Sequence, residues 1–104
     1  MEYKVVLTSE AKTQFRKILY YLLHELESPQ AATNVADDFD ETVDRLSSVA
    51  GSLKICDDEV LRAKEYRIIH FRRHKYLMIY SIYGDTAYVE GIYHDLQDYE
   101  NVLR

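Results

Sequence analysis

The side chains with chemistry to offer are Arg67, His70, Arg72, Arg73, His94 and Tyr99, with Lys54, Arg62 and Lys64 just upstream. Guanidinium groups stabilise charge developing on a phosphate, and a histidine or tyrosine can move protons at attacking and leaving oxygens. Such a set can cleave RNA through its 2′-OH without a metal. Tyrosines interleaved with cations can also stack bases. The same residues have a plainer reading. The tyrosines are then strand residues, and the arginines are charges that keep a sheet edge from aggregating.

Other chemistries lack their residues. The chain has three glycines and no phosphate-cradling loop, and it has no CxxC, no HExxH and no nucleophile elbow. None of His24, His70, His74 and His94 has a partner at metal-ligand spacing, so neither a metal nor a cofactor is expected. His24 falls on the polar side of a helix, and His74 falls in a turn, where it is expected to face solvent. Cys56 beside Asp57 and Asp58 sits in an acidic setting that should raise its pKa and keep it from acting as a nucleophile.

Most of the candidate residues sit on the stretch Tyr66 to His94, YRIIHFRRHKYLMIYSIYGDTAYVEGIYH, which reads as three strands joined by two tight turns. Arg72-Arg73-His74 breaks the first and second runs. Gly84-Asp85 breaks the second and third, with Gly84 free to supply the positive φ of a hairpin turn. Alternation then divides each run between two faces. It opposes Arg67, Ile69 and Phe71 to Tyr66, Ile68, His70 and Arg72. It opposes Tyr76, Met78, Tyr80 and Ile82 to Leu77, Ile79, Ser81 and Tyr83, and Tyr88, Glu90, Ile92 and His94 to Ala87, Val89, Gly91 and Tyr93. Which set faces inward depends on a register that alternation alone does not fix.

What precedes this meander looks built to cover one of its faces. Tyr3, Val5 and Leu7 alternate as a short strand. Thr8 or Ser9 can cap a following helix, and Glu10 complements its positive end. Ala11, Phe15, Ile18, Leu19, Leu22, Leu23 and Leu26 form one apolar stripe along that helix. Ser28-Pro29 ends it and caps a second helix, since proline suits the first helical position. Ala32, Val35, Ala36, Phe39, Val43 and Leu46 give the second helix its apolar face, with Asp37, Asp40, Glu41 and Asp44 opposite as a solvated face. Gly51 is expected to stop it. Residues 52–65 read as a basic connecting loop in which Leu53 and Ile55 dip into the core and Val60-Leu61 forms a short turn. The tail DLQDYENVLR reads as irregular or briefly helical, anchored by Leu96, Tyr99 and Val102-Leu103.

At 104 residues the chain suits one domain, expected to span 1–104. No apolar run approaches a membrane span, the N-terminus has no signal-peptide character, and a lone cysteine fits a reducing cytoplasm. The net charge of −5 is uneven. Residues 54–83 carry seven basic and four acidic side chains, a local +3 inside an acidic chain. Such a segment can be a footprint for phosphate or an ordinary solvated surface.

The order of elements, together with Tyr66-Arg67-Ile68, KYLMIYSI at 75–82 and VEGIYHDLQDYE at 89–100, resembles the RelE/ParE superfamily of bacterial toxins. The resemblance implies an α+β fold with an N-terminal strand, a two-helix hairpin and a three-strand antiparallel meander. It implies the toxin half of a type II toxin–antitoxin system, a growth inhibitor held inactive by a cognate antitoxin. One branch cleaves mRNA on the ribosome as a metal-independent endoribonuclease (an mRNA interferase). The other, ParE-like, branch inhibits DNA gyrase without catalysis. Carried onto this chain, the cleaving branch points to Arg67, His94 and Tyr99 as catalytic. It makes Lys54, Arg62, Lys64, Arg72 and Arg73 RNA-binding. This chain departs from that branch at Asp95, where many of its members carry a second basic residue. The expectation carried forward is the ribosome-dependent nuclease, with gyrase inhibition as its alternative.

Overall fold

The computed structural model describes residues 2–102. Four strands form one sheet: β1 (Lys4–Leu7), β2 (Arg67–His70), β3 (Tyr76–Tyr83) and β4 (Thr86–His94). Their spatial order is β1-β4-β3-β2, with β1 parallel to β4 and the other two pairs antiparallel. The meander pairs locally because its turns are short. At Gly84 the backbone takes φ 62°, a left-handed conformation that costs glycine nothing. The parallel pairing of β1 follows from the helical crossover that separates it from the meander.

Two long helices pack on one face of this sheet. Thr8 caps α1 (Ser9–Tyr20), its hydroxyl accepting from the Ala11 amide at 3.2 Å and donating to the Val89 carbonyl at 2.9 Å. One side chain thus closes the helix start and ties it to β4. Ser28 caps α2 (Pro29–Val49) by accepting from the Ala31 amide at 3.2 Å, with Pro29 in the first turn. The core lies between, where Ile69, Phe71, Met78, Tyr80, Val89 and Ile92 meet Ala11, Leu22, Val35, Phe39 and Leu46. A smaller cluster, Leu77, Ile79 and Tyr93, lies on the other face under Tyr66, Ile68 and Tyr99. The register therefore turns the Tyr76-Met78-Tyr80-Ile82 set toward the helices.

Local geometry departs from the sequence pattern in four places. The first helix widens over Tyr21–Glu25 into a π-turn, so later residues lose the 3.6-residue phase. Leu22 stays buried while Leu23 and Leu26 turn out to solvent, against the expected stripe. The segment ends at Glu27, φ 48°, and the Ser28 amide bonds the Leu22 carbonyl at 2.9 Å. In β4 the pairing steps from Ile79↔Gly91 to Tyr80↔Val89, leaving Glu90 as the extra residue of a bulge. Strict alternation fails there, and Val89 and Ile92 share the helix-facing side. The bulge is held by Ser81, whose hydroxyl donates to the Glu90 carboxylate at 2.7 Å.

Gly51 is not the stop expected of it. It sits inside a 3₁₀ turn, Ala50–Ser52, and a Cβ there would stand 2.3 Å from the Tyr3 hydroxyl oxygen. Here the glycine lets the Tyr3 ring approach the backbone closely, and it does not serve as a left-handed cap. At the C-terminal end, α4 (Tyr99–Val102) is a single turn, and Tyr99 packs on Tyr93 with ring centroids 6.2 Å apart. Leu96 and Val102 are exposed rather than anchoring, and Leu103 lies outside the described residues.

Candidate functional site

The candidate residues distribute over three places, beginning with the start of β2. Arg67 lies opposite Tyr80 on the helix-facing side. Its guanidinium donates to the carbonyls of Gly51 at 3.1 Å and Leu53 at 2.7 Å. Tyr80 completes the arrangement, its buried hydroxyl donating to the Ala50 carbonyl at 2.7 Å. Burial is the main cause that pushes this phenol up to about 12, partly offset by the Arg67 charge. The last turn of a helix presents unpaired carbonyls and negative partial charge. A cation and a hydroxyl from the sheet satisfy the carbonyls that follow α2. Arg67 is thereby tied, through one guanidinium nitrogen, to the carbonyls beyond α2.

At the other end of β2 the polarity reverses. Asp38 projects from α2 with its side chain fully buried. Its carboxylate accepts from the backbone amides of Arg72 at 3.3 Å and Arg73 at 2.9 Å, and lies 2.8 Å from His74 Nδ1. Burial alone would push this carboxyl up. The hydrogen bonds from His74, Arg73 and Arg72 outweigh it and hold the group below its ordinary value. His74 is therefore half-buried and bonded, not solvent-facing as its turn position suggested. The Arg72 and Arg73 guanidinium groups extend outward and share Glu41, at 3.7 and 3.6 Å. Arg45 from α2 donates to the His70 carbonyl alongside.

His94 and Tyr99 lie elsewhere. His94 ends β4 opposite Tyr76, meeting that ring edge-on at 5.3 Å. Its Nδ1 accepts from the Leu96 amide at 3.1 Å, so the ring proton of the neutral form belongs on Nε2. Arg67 and His94 are four residues apart along β3 and two strands apart across the sheet. At about 3.4 Å per residue and about 4.8 Å per strand, their backbones stand roughly 17 Å from each other. Tyr99 packs on the opposite face, where burial first, then the Glu100 carboxylate and Cys56, pushes its phenol up. The three proposed catalytic groups are not brought together.

The loop cations are also divided. Asp58 caps the short helix α3 (Glu59–Ala63), accepting from the Val60 and Leu61 amides. Around it Lys54 pairs with Asp57 at 2.8 Å, and Lys64 sits 5.7 Å above the Tyr66 ring. Arg62 is exposed. Cys56 is buried, and burial is the first cause raising its thiol pKa, ahead of Glu100, Asp57 and Asp58. Among the described residues no group of three or more His, Cys, Asp or Glu is placed to hold a metal. None of the described helices is long and apolar enough to cross a membrane. Asp38 was not singled out in the sequence. Its place one residue before Phe39, inside the apolar stripe of α2, was the available signal.

Comparison with known proteins adds a family. The family model described as ParE toxin of type II toxin-antitoxin system, parDE, matches residues 5–99. No curated protein matches the chain. A solved structure described as a chromosomal ParDE TA system from P. aeruginosa superposes with a TM-score of 0.69 at 20% sequence identity. The match covers 89% of this chain and 96% of the other, and at that identity it speaks for the fold.

Proposed function

This chain belongs to the ParE toxin family of type II toxin–antitoxin systems, and from that premise we propose that it arrests growth by binding DNA gyrase without catalysis. The observation that carries this reading is the separation of Arg67, His94 and Tyr99. A metal-free cleavage of RNA needs its charge stabiliser and its proton-transfer groups around one phosphate, within hydrogen-bond reach. Here one guanidinium is engaged with carbonyls after α2, one imidazole is bonded into the β4 exit, and one phenol lies on the far face. Binding a protein target requires no such convergence. The partner that keeps the toxin silent is a ParD-type antitoxin, and both act in the cytoplasm.

Pulse-labelling after induction of the chain alone tests the reading. An early fall in thymidine incorporation with translation intact is the expected result. It should be matched by loss of gyrase supercoiling activity on relaxed plasmid when purified chain is added. An early fall in amino-acid incorporation, with mRNA cut on the ribosome, would overturn it in favour of the nuclease and return Arg67, His94 and Tyr99 to catalysis.

A further inference from the structure

The face of the sheet turned away from the helices carries aromatic and acidic groups beyond what its own small cluster requires. Tyr83 from β3 and Tyr88 from β4 meet edge-on there, with ring centroids 5.8 Å apart, and Tyr83 is 69% exposed. Tyr88 lies opposite Ser81 in the register, and Ser81 is the residue whose hydroxyl donates to Glu90 Oε2. That bond sets a half-buried carboxylate beside the ring pair. The bulge in β4 makes this possible, because Glu90 is its extra residue and turns to this face while Val89 and Ile92 keep the helix side. Bulges are frequent beside functional sites, where they re-aim a side chain. Tyr66 belongs to the same neighbourhood. Burial first, then Glu90, Tyr83 and Tyr93, pushes its phenol up.

The charge of this face selects its occupant. Ser81 engages one oxygen of the Glu90 carboxylate, and Glu90 enters no ion pair among the described residues. Lys4 opposes Thr86, four residues along β4 from Glu90, which is about 13 Å at about 3.4 Å per residue. A carboxylate flanked by phenol rings, whose faces are electron-rich, favours a cation. The molecule supplies its own instance at the rim, where the Lys64 ammonium sits 5.7 Å above the Tyr66 ring. A guanidinium fits the centre better than an ammonium, because its plane can stack on a ring while its edge bonds a carboxylate. A nucleic acid is disfavoured, since Glu90 would repel its phosphates. The complementary partner is a protein segment that presents an arginine.

We propose that this sheet face is where the toxin grips its target, an arginine-bearing segment of gyrase setting its guanidinium against Glu90 and over the Tyr83–Tyr88 pair. The proposal rests on the reading of the chain as a gyrase inhibitor and names the surface that such inhibition uses.

The test measures binding of purified gyrase to the immobilised chain, together with inhibition of supercoiling on relaxed plasmid. Wild type is compared with Glu90→Gln, Tyr83→Ala and, as a control on α1, Lys17→Ala, each first checked for native circular dichroism. Glu90→Gln keeps an acceptor for Ser81 and removes only the charge. Glu90→Gln and Tyr83→Ala should each raise both the Kd and the half-inhibitory concentration at least tenfold, and Lys17→Ala should stay within twofold. The salt dependence of the wild-type affinity should flatten in Glu90→Gln. Wild-type affinity in both face variants would overturn the surface while leaving gyrase as the target. Binding of the plasmid alone as tight as binding of gyrase would overturn the occupant in favour of nucleic acid. Sedimentation showing a homodimer that Tyr83→Ala dissolves would overturn it in favour of a second copy. Wild type that neither binds nor inhibits gyrase would overturn the gyrase reading and the occupant with it.

Discussion

The β2 side of the molecule and the α1 side use their cations in opposite ways. Along β2, Arg67 binds carbonyls beyond the C-terminus of α2, and Arg72 and Arg73 share Glu41 over a turn clamped by Asp38. Along α1, Lys17 lines a largely apolar groove and makes no ion pair among the described residues. The first set holds a sheet edge to a helix. The second holds no such tie among the described residues. A basic residue therefore says little about function until its partner is known, and the basic segment of this sequence is in good part structural.

Removing the clamp should break this contrast most severely. Asp38→Ala leaves two turn amides and an imidazole without their buried acceptor, and losing one partner of a buried charged network costs about 3–5 kcal/mol. Urea unfolding monitored by circular dichroism would register it as a large fall in midpoint. The same carboxylate sets an acid dependence. Its folded pKa lies below its ordinary value, so its contribution is present above that value and is lost as pH falls through the folded pKa. Wild type should therefore lose stability on acidification below about pH 4, the ordinary carboxylate range, and Asp38→Asn should show a shallower loss over that window.

Arg67→Ala is the next step down. Hydrogen bonds from a charged donor are worth about 1.5–3 kcal/mol, and the carbonyls of Gly51 and Leu53 would lose theirs. The expected outcome is a lower unfolding midpoint with growth arrest per folded molecule unchanged. Loss of toxicity at full stability would instead sharpen the case for a catalytic arginine. Lys17→Ala should be the mildest, within about 0.5 kcal/mol of wild type in the same unfolding measurement, because its ammonium holds no ion pair among the described residues. A large destabilisation there would erase the distinction between the two sides.

Much of the architecture was legible in the residues, and particular side chains show why. Ser28-Pro29 and Thr8 act through the next few amides, so their caps can be read locally. Gly84 likewise announces a turn through its own backbone freedom. The alternating runs of the meander gave its strands, because a pleat has a period of two whatever it packs against. The family resemblance, carried by those same elements, matched the family found by comparison, while its preferred branch rested on residue types alone.

What only the tertiary structure decided concerns residues whose partners are distant in sequence. Asp38 meets Arg72, Arg73 and His74 across 34 to 36 positions, and Arg67 reaches back to Gly51 and Leu53. The β4 bulge at Glu90 and the π-turn at Tyr21–Glu25 each add a residue to a regular repeat, which resets every side chain that follows. Periodicity carries no mark of such an insertion, because the energy that favours it comes from packing in three dimensions. The sequence by itself determined the elements and their order, through local backbone preferences and apolar spacing. Folding decided which charges are engaged, since an ion or hydrogen-bond partner is a matter of distance in space.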